Sequence, residues 1–220
     1  MIKQAFKKIS VTEWTLMAMA SLTFIFFNQI DYLISDMFYN VEEGFFYKGS
    51  IVESFLYKSV RFALIISYVI VIGLWIYNRM KSKNILNING KKTLFLVLVL
   101  AIGSGLIVNA ILKENWGRAR PIEVQHYGGT KTFTPAFVLS DQKGNSFSSG
   151  HASAAFVFMA FAMLATQRRQ FWMGLALGYG FLVGLARIVA GGHFFSDTLV
   201  SFFIIYITAI VLHSILKIEE

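Results

Sequence analysis

The sequence predicts an all-α integral membrane protein with six transmembrane helices. Hydrophobic residues make up 56% of the 220-residue chain and charged residues 15%, whereas about a quarter of an ordinary soluble domain is charged. The apolar residues form continuous runs rather than the alternating pattern of a membrane β-barrel. The basic residues fall in short gaps between those runs. They gather on no single face, which argues against nucleic acid as the partner of the +8 net charge. The length fits one domain over residues 1–220. There is no Cys, so disulfides and thiolate metal sites are excluded.

The first apolar run is Trp14–Ile30, preceded by Lys3, Lys7 and Lys8. Ala18-Met19-Ala20 has the form of a leader cleavage site. However, Trp14 to Met17 is far shorter than the apolar core of about 7–15 residues that a leader needs. The run therefore reads as a retained membrane helix. The others are Val60–Tyr77, Thr93–Leu112, Ala152–Thr166, Phe171–Ala186 and Thr198–Leu216. A crossing takes about 20 residues, with a range of roughly 17–25. Val60–Tyr77, Thr93–Leu112 and Thr198–Leu216 meet this alone. Ala152–Thr166 and Phe171–Ala186 fall short, and polar residues at their outer ends complete them if the site lies at the bilayer surface.

Asp31 to Ser59 is the first outer connection. In it Phe45, Phe46, Ile51, Val52, Phe55, Leu56 and Tyr57 recur at helical spacing, with Glu53 and Lys58 between them. Gly49–Ser59 reads either as a short helix lying in the interface or as a plain loop. Thr130–Asn145 reads as an exposed loop able to cover or shape a head-group site.

Orientation comes from the loops. With a cytoplasmic N-terminus, the inside segments hold Lys3, Lys7, Lys8, Arg79, Lys81, Lys83, Lys91, Lys92, Arg168, Arg169 and Lys217, against Glu13, Glu219 and Glu220. Short basic loops stay inside. Six crossings then leave both termini cytoplasmic and put the polar blocks outside.

Three polar blocks interrupt the apolar chain. The first runs from Lys113 to Pro121 and includes Arg118 and Arg120. The second is Ser148-Ser149-Gly150-His151. The third is Arg187, His193 and Asp197. Together they offer cations, two imidazoles and a carboxylate, which suits phosphoryl transfer. Asp197 follows His193 by four residues, so on a helix the two share a face and the carboxylate could orient the imidazole. Separate caps of the next helix would use the same residues. Ser149 is a good N-cap, Gly150 admits close backbone approach, and free N–H groups at a helix start attract anions. Arg187, at the edge of hydrocarbon, either binds an anion or snorkels to the surface. Trp116 and its neighbouring cations could equally be an interfacial anchor.

The order and spacing of these blocks resemble the type 2 phosphatidic acid phosphatase superfamily, which also includes vanadium haloperoxidases. Its motifs K-x6-RP, PSGH and SR-x5-H-x3-D stand here as Lys113…Arg120-Pro121, Ser149-Gly150-His151 and Arg187…His193…Asp197. Two positions depart. Ser148 replaces the motif Pro, which would loosen the turn. Ala186 replaces the motif Ser, which removes one hydroxyl from the phosphate shell. The wording Glu114-Asn115-Trp116-Gly117-Arg118-Ala119-Arg120-Pro121, with Gly128-Gly129-Thr130 and Phe133-Thr134-Pro135, also resembles bacterial lipid A phosphatases. So does Phe38-Tyr39 followed by Gly44-Phe45-Phe46.

The resemblance implies a lipid phosphate phosphatase of the bacterial inner membrane, with a periplasmic active site and lipid A or a precursor as substrate. Undecaprenyl diphosphate and phosphatidylglycerol phosphate are the alternatives. It implies His193 as the nucleophile that becomes phosphorylated and Asp197 as its orienting group. His151 would be the acid for the leaving oxygen and then the base for water. Lys113, Arg120, Arg187, the Ser149 hydroxyl and the Gly150 N–H would hold the phosphate. No metal, other cofactor, nucleic acid or obligate protein partner is expected. Arg118 lies outside the motif and could touch a second phosphate or a sugar. Against an anion transporter, the charges sit at run ends and no apolar run is broken by Pro. A metal site from His126, His151 and His193 would leave the cations unexplained.

Overall fold

The computed structural model describes residues 2–218 and is mostly helical, with one minimal hairpin and a largely irregular connection before Gly150. A short helix α1 (Ile2–Phe6) precedes α2 (Val11–Phe26). The N-cap Ser10 and Glu13 form a reciprocal capping box at the start of α2. Helix α3 (Gln29–Asp36) then turns away at 85°. Tyr39–Asn40 (β1) pairs antiparallel with Gly44–Phe45 (β2). The long helices follow: α4 (Ile51–Lys81), α5 (Gly90–Asn115), α7 (Arg169–Val189) and α8 (Phe195–Ile215), with the shorter apolar helix α6 (Gly150–Met163) before α7.

Four helices, α4, α5, α7 and α8, are long and apolar enough to cross a membrane, and the bent pair α2–α3 makes a fifth if it counts as one span. The expected spans Trp14–Ile30 and Ala152–Thr166 are therefore less simple than the others. The first ends at the bend after Phe26. The second is a short helix broken at Val157, between Gly150–Phe156 and Phe158–Met163.

Gly49–Ser59 is neither a separate interfacial helix nor a loop. Ser50 caps Glu53 and the helix runs unbroken for 31 residues. No Gly or Pro lies between Ile51 and Ile72 to stop it. At 1.5 Å per residue α4 is about 46 Å long, well beyond the roughly 30 Å of hydrocarbon. The helix is thus longer than a crossing needs, and its first turns lie alongside the polar blocks.

Inside a bilayer, helices associate through close packing rather than through water exclusion. Small residues provide the contacts here. A side chain at Gly180 of α7 would overlap Phe156 of α6 at 2.2 Å, and one at Gly184 would overlap Thr198 of α8 at 2.3 Å. Phe95, Leu96, Val99, Phe156, Val157, Met159 and Ile205 form the fully buried centre. Facing the lipid, Phe62, Ile65, Ile66, Val69 and Ile70 of α4 are exposed.

The C-terminal ends of α5 and α7 and the N-terminal ends of α4, α6 and α8 meet at one end of the bundle. The connection between α5 and α6 folds over that end. It is less exposed than its composition suggests: Ala136 and Phe147 are 1% and 2% exposed and pack with Val200. Trp116 turns inward too, donating from its indole N–H to the Ala136 carbonyl at 2.9 Å and stacking on Phe147.

Candidate active site

All three polar blocks converge at this end. Lys113 closes α5, just after a π-helical stretch spanning Val99–Leu112, a geometry often found at functional sites. Asn109 on that stretch donates to the Ser104 carbonyl at 2.7 Å. A side chain at Gly150 would lie 2.6 Å from Asn109 Oδ1 and 3.5 Å from Lys113 Nζ. Glycine is thus the residue that lets the second block approach the first. Ser149 caps α6 as its sequence suggested, accepting from the Ala152 N–H at 3.4 Å. Its own N–H reaches the Asp197 carbonyl at 3.3 Å. Ser201 Oγ donates to both the Ser149 and Asp197 carbonyls, each at 2.9 Å, and so ties the second block to the third.

His193 is 2% exposed. Its Nδ1 lies 2.7 Å from the Ser146 carbonyl, which fixes Nδ1 as the protonated nitrogen, since a carbonyl can only accept. Nε2 is the nitrogen left for chemistry. Asp197 Oδ2 stands 3.6 Å from Nδ1, outside hydrogen-bonding distance. The expected direct carboxylate–imidazole bond is thus replaced by a relay. Asp197 Oδ2 accepts from Ser146 Oγ at 2.6 Å and from the Phe194 N–H at 2.9 Å, while the carbonyl of the same Ser146 accepts the hydrogen bond from the imidazole Nδ1–H. Burial holds the His193 pKa below the ordinary value of 6.5, although Asp197 pulls the other way and Arg187 and Lys113 reinforce the lowering. A neutral imidazole is the nucleophilic form.

The cations divide into two kinds. Arg118 is fully buried. Its Nε donates to the Thr134 carbonyl at 2.8 Å, Nη1 to Ser196 Oγ at 2.8 Å and Asp197 Oδ1 at 2.5 Å, and Nη2 to Asp31 Oδ2 at 2.8 Å. Burial alone would weaken its charge, but Asp197 and Asp31 outweigh burial and raise its pKa. Arg118 therefore touches no second phosphate or sugar. It is the anchor behind Asp197, joined to α3 through Asp31, whose carboxylate also accepts from the N–H and hydroxyl of Ser196.

Arg120 and Arg187, in contrast, each bury an Nε with no partner among the described residues. Such orphan donors are costly unless a ligand satisfies them. Lys113 lies within electrostatic reach of both. His151 lies within reach of Arg187, His193, Lys113 and Arg120. Every residue expected to bind phosphate or react thus sits in one cluster.

Three further residues border the cluster that no motif identifies: Ser146, Glu53 and Tyr57. Glu53 Oε1 accepts from Arg187 Nη1 at 3.0 Å. The Tyr57 ring stacks on His151 with centroids 4.0 Å apart. Ser148, at the motif Pro position, is fully buried, and its hydroxyl has no partner among the described residues. His126 is not part of the cluster's bonding: its ring nitrogen lies 3.0 Å from Asp36 Oδ1.

The chain is 35% identical over 207 residues to a lipid A 4′-phosphatase of Francisella tularensis subsp. novicida (strain U112), covering 90% of each chain. It is also 35% identical over 101 residues to the lipid A 4′-phosphatases of Rhizobium etli and Rhizobium leguminosarum, covering 44% of this chain and 39% and 43% of theirs. No solved structure matches. Residues 94–219, which include all three polar blocks, match the profile of the PAP2 superfamily, and the chain belongs to that family.

Proposed function

We propose that the protein removes a phosphate monoester from lipid A or a lipid A precursor through a phosphohistidine on His193. The observation that carries the chemistry is the pair of unsatisfied guanidinium Nε donors, Arg120 and Arg187, gathered with Lys113 around two imidazoles. A buried polar arrangement of that kind suits a dianion. The substrate class, with the 4′-phosphate first, rests on the relative matched over 90% of the chain.

In the first step Nε2 of His193 attacks phosphorus as the ester oxygen leaves. His151 gives that oxygen its proton. Nδ1–H of His193 stays on the Ser146 carbonyl, and the Asp197 charge 3.6 Å away offsets the positive charge that grows on the ring. In the second step His151 takes a proton from water, the water oxygen attacks phosphorus, and the P–N bond breaks to regenerate His193 and free phosphate. Lys113, Arg120 and Arg187, with the Ser149 hydroxyl and the Gly150 N–H, hold the three equatorial oxygens. These cations can supply the charge that a metal supplies elsewhere.

The proposed membrane arrangement has six crossings, with α6 and the bent pair α2–α3 added to the four long helices. Both termini are cytoplasmic, and the site faces the periplasm of the bacterial inner membrane. The basic inner loops support this. Cysteines introduced at Asn145 and Lys83 should label from opposite sides, and labelling from one side rejects the arrangement.

Purified protein tested on lipid A phosphorylated at either end, undecaprenyl diphosphate and phosphatidylglycerol phosphate decides the substrate. Release from lipid A is expected. Release from the isoprenoid diphosphate alone would reassign the substrate while leaving the chemistry. Acid-labile label should map to His193 and be absent from His193→Ala, whereas label on His151 would reverse the two roles. A chelator should leave activity intact, and vanadate should inhibit.

A further inference from the structure

We propose that Glu53 and Tyr57 are positioning residues of this site, brought to it by the first turns of α4. Glu53 holds the guanidinium of Arg187 and Tyr57 fixes the ring plane of His151. The inference rests on the phosphatase reading above and adds a third wall that the three motifs do not contain.

Glu53 is itself firmly held. It is 8% exposed. Its N–H donates to Ser50 Oγ at 3.2 Å, and its Oε2 accepts from the Gly49 N–H at 3.3 Å. That leaves Oε1 for Arg187 Nη1 at 3.0 Å. The same guanidinium has its Cζ 4.8 Å from the centroid of the Tyr57 ring. On another side a side chain at Gly192 would overlap Nη2 at 2.2 Å, so glycine there leaves room for the guanidinium. Arg187 is therefore held at Nη1 and along one face, while its buried Nε has no partner among the described residues. A fixed fork loses little freedom when it binds phosphate.

Tyr57 lies one helical turn beyond Glu53, on the same face of α4. Its ring is inclined 24° to the His151 ring at 4.0 Å. No hydrogen bond to His151 is found among the described residues, so stacking is the contact that sets the plane of the imidazole. An acid that must meet a leaving oxygen in line depends on that plane. One α4 turn thus couples the phosphate-binding arginine to the proton-transferring histidine.

The two roles give different signatures. Tyr57→Leu should lower kcat on an alkyl or glycosyl phosphate by roughly ten- to hundredfold with little change in KM, because misplacement of a catalytic group costs rate rather than binding. p-Nitrophenyl phosphate needs little protonation to leave, so on it Tyr57→Leu should keep the first-turnover burst of p-nitrophenol while later turnovers slow. Tyr57→Phe keeps the ring and should restore most of the rate. Glu53→Ala should weaken vanadate inhibition by about tenfold as Arg187 loosens. Glu53→Gln keeps an acceptor without the charge and should bind vanadate at least as tightly as the wild type.

A merely structural role would slow both substrates in equal proportion. Equal proportions in Tyr57→Leu, or vanadate inhibition unchanged in Glu53→Ala, overturn the inference. Should Tyr57→Leu fail to fold, Tyr57→Met, a flexible side chain with no ring, gives the same ratio test. His193→Ala in the same assay separates the two levels. A burst from His193→Ala overturns the phosphohistidine reading itself. A silent His193→Ala beside equal ratios in the Tyr57 variants removes this inference alone.

Discussion

Arg118 and Arg120 stand two residues apart, yet they belong to opposite regions of the molecule. Behind the site, Arg118 is saturated by Thr134, Ser196, Asp197 and Asp31 and has no exposure. At the front, Arg120 buries an Nε that has no partner among the described residues, as Arg187 does. The difference teaches how to read an arginine near a phosphate site. One whose donors are all used by the protein is scaffold. One left short of acceptors is available to a ligand, and its desolvation is offset when the anion arrives.

The sharpest way to break this comparison is to remove the scaffold member. Arg118→Ala leaves Asp31 and Asp197 buried without their cation. Breaking one buried pair from one side costs about 3–5 kcal/mol, a large part of a typical stability of about 5–15 kcal/mol. The expected outcome is loss of folded protein and of all activity, read by thermal unfolding in detergent. A stable Arg118→Ala protein with only weaker substrate binding would move Arg118 to the front region.

Arg120→Ala should do the reverse. It should lower kcat/KM by about 10²–10³, as loss of one preorganised donor does, and leave the unfolding temperature nearly unchanged. Vanadate should no longer raise that temperature. A large fall in stability without a binding defect would erase the distinction between the two arginines.

Ser146→Ala tests the joint between the regions. It removes the hydroxyl that holds Asp197 Oδ2 but keeps the carbonyl that accepts the His193 Nδ1–H. A hydrogen bond to a charged group contributes about 1.5–3 kcal/mol, so a modest loss of stability is expected, with activity lowered about tenfold or less. Complete loss of phosphoenzyme would mean that Asp197 acts through the serine hydroxyl more strongly than this geometry implies.

The smallest effect is on pH. Burial lowers the pKa of His193, and the neutral ring is the attacking form. Phosphoenzyme formation should therefore persist below the ordinary 6.5 and fall only as pH drops through the depressed value. An acid limb at or above 6.5 would mean that the Asp197 charge outweighs burial at this ring.

The residues expected to hold or attack phosphate could be picked out together because their types and spacing are strict. Lys113, Arg120, Ser149, Gly150, His151, Arg187, His193 and Asp197 all reach one cluster. Three of the four long helices were legible from continuous apolar length, which is what a bilayer demands, whereas the apolar run Phe171–Ala186 was short by itself and Arg169–Val189 reaches full length with its polar ends. The role of Arg118 was not, because its acceptors come from three distant parts of the chain: Asp31, Thr134 and the Ser196–Asp197 pair. Composition alone made it look like one more phosphate-binding cation. Gly49–Ser59 showed its helical spacing, yet nothing local revealed that the helix continues through Ser59 into the span.

By itself the sequence determined the membrane class and the helix ends at which the three polar blocks gather. Those properties depend on side-chain chemistry and on spacing along one helix. Only the tertiary structure decided which arginine is spent on the scaffold, that a backbone carbonyl rather than Asp197 accepts the His193 Nδ1–H, and that Glu53 meets Arg187 and Tyr57 meets His151. Those depend on which acceptors and rings are brought within a few ångströms by segments far apart in the chain, and hydrogen bonds and stacking act only over that range.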